Sequence, residues 1–248
     1  MDIGQLQPAA DALAGRVILV TGAYGGLGEA AARACAAAGA SVVLLGRRVP
    51  KLNRVYDAIV ADGGPTPALY PLDLEGASGD DYAEMAERIG SECGRLDGVL
   101  HAAAAFKGLS SLANTAPQDW LRALHVNLSA PLQLTRACLP WLGRGDDAAV
   151  VFMLNDPAMT ASAYWGAYGI AQNGLQAAVS MLAAEQAGGP VRIHGLRPGP
   201  MRTALRASAW FGEDPGLWPP PSTYAPACVH LLAASGAAHR GEVLAVSA

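Results

Sequence analysis

The stretch at 17–28, VILVTGAYGGLG, constrains this chain more than any other. Val17-Ile18-Leu19-Val20 is an unbroken β-branched and leucine run, as expected of a strand buried on both faces of a parallel sheet. The chain then turns through Thr21-Gly22, and a small-residue helix is predicted from about 26 to 38. Gly22, Gly26 and Gly28 form a T-G-x-x-x-G-x-G pattern at this strand-to-helix joint. Each glycine answers a separate need: a tight turn, close approach of backbone to a diphosphate, and close packing of helix on strand. The amides of the helix start then face the phosphates, and the macrodipole adds to the attraction. With the right strand before it and the right helix after it, the pattern points to a nucleotide site; an ordinary glycine-rich turn is the alternative.

Strand and helix signals alternate through the rest of the chain. Strands are predicted at 41–45, 68–72, 98–101, 148–154, 191–196 and 241–246. Between them, helices are predicted at 49–61, 79–93, 118–142 (irregular at Pro131 and Pro140) and 164–186. This alternation argues for an α/β fold: a single Rossmann-type domain over 1–248, with a doubly wound parallel sheet of about seven strands and helices on both faces. One long irregular segment, 198–222, follows a strand carboxyl end, where ligands bind in such folds.

Composition narrows the partners. With 52% hydrophobic and 15% charged residues, the chain must bury a large core. A net charge of −4 gives no basic footprint for nucleic acid. Cys35, Cys93, Cys138 and Cys228 lack metal spacing and read as buried free thiols of a reducing compartment. No signal peptide is evident, and no apolar run approaches the ~18 residues of a membrane span, so a cytoplasmic location is expected. The five histidines show no paired carboxylate or metal spacing and read as structural or exposed; no metal site is expected.

From about Leu13 onward the sequence resembles the short-chain dehydrogenase/reductase superfamily. Within it, the match is to bacterial oxidoreductases of the YciK type, through LDGVLHAAA at 96–104, WGAY at 165–168 and RPGPMRTALRASAW at 197–210. The resemblance implies a nicotinamide cofactor held at the first turn by Thr21, Gly22, Tyr24, Gly26, Leu27 and Gly28. Ala102 and Ala104 would lie on its floor, and Asp73-Leu74 match an adenine-contacting pair, although Asp73 alternatively caps a turn. Pro198, Gly199 and Thr203 match groups that hold the nicotinamide carboxamide.

Charge argues for NADP(H) over NAD(H). An acid that would bind a ribose 2′-hydroxyl is replaced by Gly46, followed by Arg47 and Arg48, whose guanidinium forks suit a 2′-phosphate; solvated surface arginines are the alternative.

Family members that move hydride use an Asn, a Ser, a Tyr and a Lys, the last two spaced Y-x-x-x-K on one helical face. Here Asn127 and Tyr168 match, whereas the lysine position is Gln172 and the serine position is Asn155, beside Asp156. Free tyrosine ionises near pH ~10, and a neighbouring cation stabilises its anion by about 3–4 kcal/mol. Gln172 brings no such charge, and an inward Asp156 would oppose ionisation further. Asn155 is the milder change, since its amide donates much as a hydroxyl does. Lys107 is either a stand-in cation at the site rim or a solvated loop lysine. The family's N-A-G segment becomes A-A-A, which predicts an altered floor.

Tyr164 is expected on the same helical face as Tyr168, either as a second phenol or as an interface or core aromatic. Trp210, Phe211 and Trp218 either form an apolar lid or pack the loop onto its own domain or a neighbouring subunit. Three functions follow: an NADP(H)-dependent oxidoreductase of carbonyl or alcohol substrates, with a hydrophobic substrate and a rearranged tetrad; a nucleotide-binding sensor or partner subunit without turnover; and, ranked last, a non-redox activity on the same scaffold. The resemblance also implies a homodimer or homotetramer.

Overall fold

The computed structural model describes residues 1–247. β1 (Val17–Thr21), α1 (Gly26–Ala37), β2 (Ser41–Gly46), α2 (Val49–Ala61), β3 (Ala68–Pro71), α3 (Gly79–Cys93) and β4 (Gly98–His101) follow in order. The second half contains α4 (Pro117–Leu124), α5 (Ala130–Leu142), β5 (Ala148–Met153), α6 (Pro157–Thr160), α7 (Gly166–Glu185), β6 (Val191–Pro198), α8 (Ala204–Ala209), α9 (Ala225–Leu232) and β7 (Val243–Val246). The strands form one seven-stranded sheet in the order β3-β2-β1-β4-β5-β6-β7, every neighbouring pair parallel. The chain winds outward from β1 to β3 and returns to lay β4 beside β1. That reversal opens a crevice at the carboxyl ends of the strands.

The aliphatic run in β1 serves both faces of the sheet. Ile18 and Val20 pack with Ala31, Leu52 and Leu231 beneath α1, α2 and α9, while Val17 and Leu19 pack with Met85, Leu134 and Val179 beneath α3, α5 and α7. Side chains alternate across a strand, so a two-faced core requires Val17 to Val20 all to be apolar. Each fully buried aliphatic side chain contributes about 1.5–3 kcal/mol. α3 begins with a reciprocal cap: the Ser78 hydroxyl accepts from the Asp81 amide, and the Asp81 carboxylate accepts from the Ser78 amide at 2.7 Å. Gly94, at φ 74°, closes it in a left-handed turn.

The helix expected at 118–142 has its irregularity one turn before Pro131. His125–Ser129 is a π-helical segment in which the Ala130 amide donates to the His125 carbonyl. Pro131 has no N–H for the Asn127 carbonyl, and its ring crowds that oxygen, so the turn widens there. Pro140 stays within α5 near its end. Tyr164 lies outside the helix expected at 164–186: its φ of 74° cannot belong to a right-handed helix, and its side chain is exposed. It therefore shares no helical face with Tyr168. The segment at 198–222 contains α8 and short 3₁₀ turns. Cys93 is exposed, unlike the other three cysteines. Contrary to expectation, His239 does meet a carboxylate, with Nδ1 3.1 Å from Glu242.

Two buried histidines give the fold an acid sensitivity. His101 Nε2 lies 2.8 Å from the Thr135 hydroxyl and its ring stacks on Phe152; burial pushes its pKa down to about 3. His194 is pushed down to about 4 by burial and then by the adjacent Arg192. Both are neutral in the folded protein and ionise near pH ~6.5 when unfolded, so the unfolded chain binds more protons as pH falls below that value. Each is expected to make stability fall by up to about 1.4 kcal/mol per pH unit between roughly pH 6 and 4. Urea unfolding at pH 7 and pH 5 measures this, and His101→Leu should flatten the slope by one histidine's share.

Candidate active site

A cleft of about 830 Å³ runs along the carboxyl ends of β1, β2, β4 and β5, from Gly46 and Arg47 at one end to Tyr168 and Leu205 at the other. The glycine turn forms its middle. A Cβ on Gly22 would stand 2.7 Å from the Ala103 Cα, and one on Gly28 would overlap the Gly22 carbonyl oxygen. These positions admit no side chain because the β1–α1 turn presses against its own backbone and against the end of β4. α1 starts on Gly25, which supplies no side-chain cap, so its first amides depend on a partner from outside the helix.

The alanine floor is secured from two directions. Thr21 Oγ1 accepts from the amides of Ala102 and Ala103, each at 3.2 Å. Asn127, carried on the π turn, accepts from the Ala105 amide at 2.9 Å and donates to the Ala105 and Ala123 carbonyls at 2.9 and 2.8 Å. Asn127 is thus fully engaged in holding the loop after β4 and does not line the cleft. Its contribution is to position that loop rather than to touch a substrate. Thr21 is likewise buried behind the lining.

At the far end, Asn155 follows β5 and Tyr168 sits in the first turn of α7. Asn155 Nδ2 donates to the Tyr168 Oη at 2.6 Å, and the Asn155 amide donates to Gln172 Oε1 at 3.1 Å. Tyr168 is 5% exposed, enclosed by Phe106 (4.9 Å between ring centroids) and Trp165 (6.0 Å). Burial raises its pKa well above the usual phenol range, and the Asn155 hydrogen bond opposes this only in part. Asp156 does not turn inward: its carboxylate accepts from the Ala158 amide at 3.0 Å and starts α6. Lys107 lines the cleft, where its exposed ammonium pairs with Asp119 at 2.7 Å.

The opposite end is more strongly charged. Arg47 lies 3.8 Å from Asp73 and 3.9 Å from Glu75, longer than direct hydrogen bonds, while Arg122 pairs with Glu75 at 3.0 Å. Asp73 does act as a turn residue, its Oδ1 accepting from the Glu75 amide at 3.2 Å. Tyr24, Leu27, Leu74, Ala104, Pro198 and Thr203 all line the cleft. Arg48 stands outside it, at the start of α2. Gly199 also lies behind the lining, where a Cβ would overlap the Tyr224 hydroxyl, which donates to the Pro200 carbonyl at 3.2 Å.

Glu75, Arg122, Phe106 and Met153 line the cleft without a local sequence signal to announce them. They arrive from four different segments and meet only in the folded chain. Among the loop aromatics, Trp210 packs on Trp165 at 5.5 Å and Trp218 covers Arg206 at 4.2 Å, whereas Phe211 is 95% exposed. The loop is therefore held to its own chain by two tryptophans. Phe211 takes no part in that packing.

Comparison with known proteins agrees with this geometry. The short chain dehydrogenase family model matches residues 16–213. The uncharacterized oxidoreductase YciK of Escherichia coli K12 is 36% identical over 226 residues, spanning 91% of this chain and 89% of the relative. The solved structure of YciK superimposes with a TM-score of 0.91 at 34% identity, covering 97% of this chain and 98% of the other. A protein from Escherichia coli CFT073 solved in complex with NADPH gives a TM-score of 0.92 at 35% identity, covering 96% and 99% of the two chains. The parallel sheet, the glycine turn and these matches together place the chain in the short-chain dehydrogenase/reductase superfamily.

Proposed function

We propose that this chain is an NADP(H)-dependent oxidoreductase that transfers hydride on an uncharged carbonyl or alcohol substrate through a rearranged active site. The observation that carries this reading is the single cleft joining Arg47 and the glycine turn to the hydrogen-bonded Asn155–Tyr168 pair. The residues present suit a nicotinamide dinucleotide. The α1 amides beside Gly26 and Gly28 would hold the diphosphate. Arg47, whose guanidinium lies 3.8 and 3.9 Å from Asp73 and Glu75 without a direct hydrogen bond to either, would hold a 2′-phosphate, with Arg48 adding charge from the rim. Asp73 and Leu74 would flank the adenine, Gln172 would meet a ribose, and the Pro198–Thr203 segment would frame the carboxamide. When bound, this group supplies or accepts the hydride.

The chain's own part is proton transfer and orientation. Tyr168 Oη gives a proton to the substrate oxygen, Asn155 orients the phenol, and the walls exclude water. Phe106, Trp165 and Leu205 make an apolar surface beside the phenol, and the nearby cations Lys107 and Arg206 are already paired with Asp119 and Glu213. That arrangement favours a hydrophobic, uncharged substrate over a carboxylate or phosphate ester. Leu121, Ile170 and Met181, exposed on α4 and α7, support assembly as a homodimer or homotetramer. Among the described residues, no helix is long and apolar enough to cross a membrane, and no group of three or more candidate metal ligands occurs.

NADPH titration by fluorescence, followed by a panel of aliphatic and aryl ketones, tests the assignment. Arg47→Ala is expected to weaken NADPH binding by roughly 10-fold, the worth of one charge-assisted contact of ~1.5 kcal/mol, and to leave NADH nearly unchanged. Equal losses for the two nucleotides would remove the argument for a 2′-phosphate site. NADPH binding without turnover on any carbonyl or alcohol would favour the sensor or partner-subunit reading, which the glutamine at 172 motivates.

A further inference from the structure

Resting on the oxidoreductase reading, we propose that Tyr168 works as a proton donor at neutral pH, held in that role by Asn155 and Gln172, so that the site reduces carbonyls there and oxidises alcohols appreciably only in alkali. The geometry supports this at three points.

First, Asn155 Nδ2 can only donate, so at 2.6 Å the Tyr168 Oη is the acceptor in that bond. The phenol's own hydrogen must then point elsewhere, and the remaining direction open to it is the cleft that Tyr168 lines. Second, Gln172 Oε1 is occupied by the Asn155 backbone amide at 3.1 Å. At the position where a lysine would supply positive charge, this residue acts as a positioning group for Asn155.

Third, among the described residues, the lysine and arginine that the neighbouring elements bring toward the phenol are already paired with carboxylates. The loop after β4 brings Phe106 and Lys107, the latter paired with Asp119. The loop after β5 brings Asn155 and Asp156, the latter capping α6. α7 and its start bring Gln172 and Trp165, and α8 brings Arg206, paired with Glu213 and stacked between Trp210 and Trp218. A phenolate among these groups has one amide donor and apolar walls. Burial therefore disfavours the anion, in line with the raised pKa of Tyr168.

The reductive step balances simply. A hydride from the reduced nicotinamide forms a C–H bond at the carbonyl carbon while the C=O π bond breaks, and the carbonyl oxygen takes the Tyr168 proton. An alcohol and the oxidised nucleotide result, and solvent returns a proton to the phenolate. Alcohol oxidation needs the phenolate at the outset, and its fraction falls tenfold for each pH unit below the ionisation point.

The decisive readout is spectroscopic. Wild type and Tyr168→Phe are titrated from pH 6 to 10.5 and tyrosinate absorbance is recorded, the difference between them isolating Tyr168. No ionisation of Tyr168 is expected in that range, and Gln172→Lys should increase the acidity of Tyr168 by about 100-fold. In parallel, kcat/KM for reduction should be flat from pH 6 to 9. The value for oxidation should climb tenfold per pH unit without a plateau, and Gln172→Lys should raise it about 100-fold at each pH through the larger phenolate fraction. Ionisation of wild-type Tyr168 anywhere below pH 10.5 would overturn the proposal even if Gln172→Lys fails to fold. Failure of NADPH binding or of all turnover would overturn the oxidoreductase reading instead, while the absorbance difference continues to decide the state of the phenol.

Discussion

Tyr168→Phe is expected to lower carbonyl reduction by roughly 10²–10⁴-fold, the usual contribution of a positioned general acid. The substitution keeps the ring and its contacts with Phe106 and Trp165. It removes only the hydroxyl and leaves the Asn155 amide to solvent in the cleft. NADPH affinity should therefore change little, since the glycine turn and Arg47 lie elsewhere in the cleft. Single-turnover reduction measured beside a fluorescence titration separates the two effects. A variant that binds NADPH normally and still reduces ketones at the wild-type rate would remove Tyr168 from the chemistry.

The second large effect concerns stability, at the opposite end of the sheet. Asp147 directly precedes β5 and pairs with Arg16 and with Arg192, whose Nε is 2.6 Å from Oδ1. Arg192 is 2% exposed and also donates to the Leu231 and Ala233 carbonyls, each at 2.9 Å, with His194 at 3.1 Å. Asp147→Ala would leave this guanidinium buried without a counter-charge. Breaking a buried pair from one side costs about 3–5 kcal/mol. For a chain of this size that corresponds to a Tm lower by roughly 6–20 °C. Arg88→Ala provides the contrast, because Arg88 and Glu92 form an exposed pair worth at most ~1 kcal/mol. Calorimetry on the two variants measures the difference. Cofactor affinity of the folded Asp147→Ala protein should be unchanged, since the network lies at the amino ends of the strands and the cleft at their carboxyl ends.

Elements whose signals are local were readable in the sequence. β1 is apolar from Val17 to Val20 because both of its faces are covered, and Gly22 and Gly28 after it mark places where backbone meets backbone. The break between α4 and α5 was half legible: Pro131 announced an irregularity, but the widened turn lies upstream because the ring acts on the carbonyl four residues earlier. Tyr164 misled because aromatic spacing resembles helix periodicity, and its left-handed backbone became visible only in the structure. The Ser110 amide donates to its carbonyl at 2.7 Å, a link between distant segments that spacing cannot show.

Sequence alone therefore determined the parallel α/β architecture, the glycine turn after β1 and the absence of a lysine four residues after Tyr168. Each of these is written in residues adjacent along the chain or in a short helical repeat. Tertiary structure decided what the three side-chain amides do. It turned Asn127 away from the cleft onto Ala105, aimed Asn155 at the phenol, and gave Gln172 the task of holding Asn155. A side-chain amide both donates and accepts, so its role depends on which partners the fold brings within about 3 Å, and those partners come from distant segments.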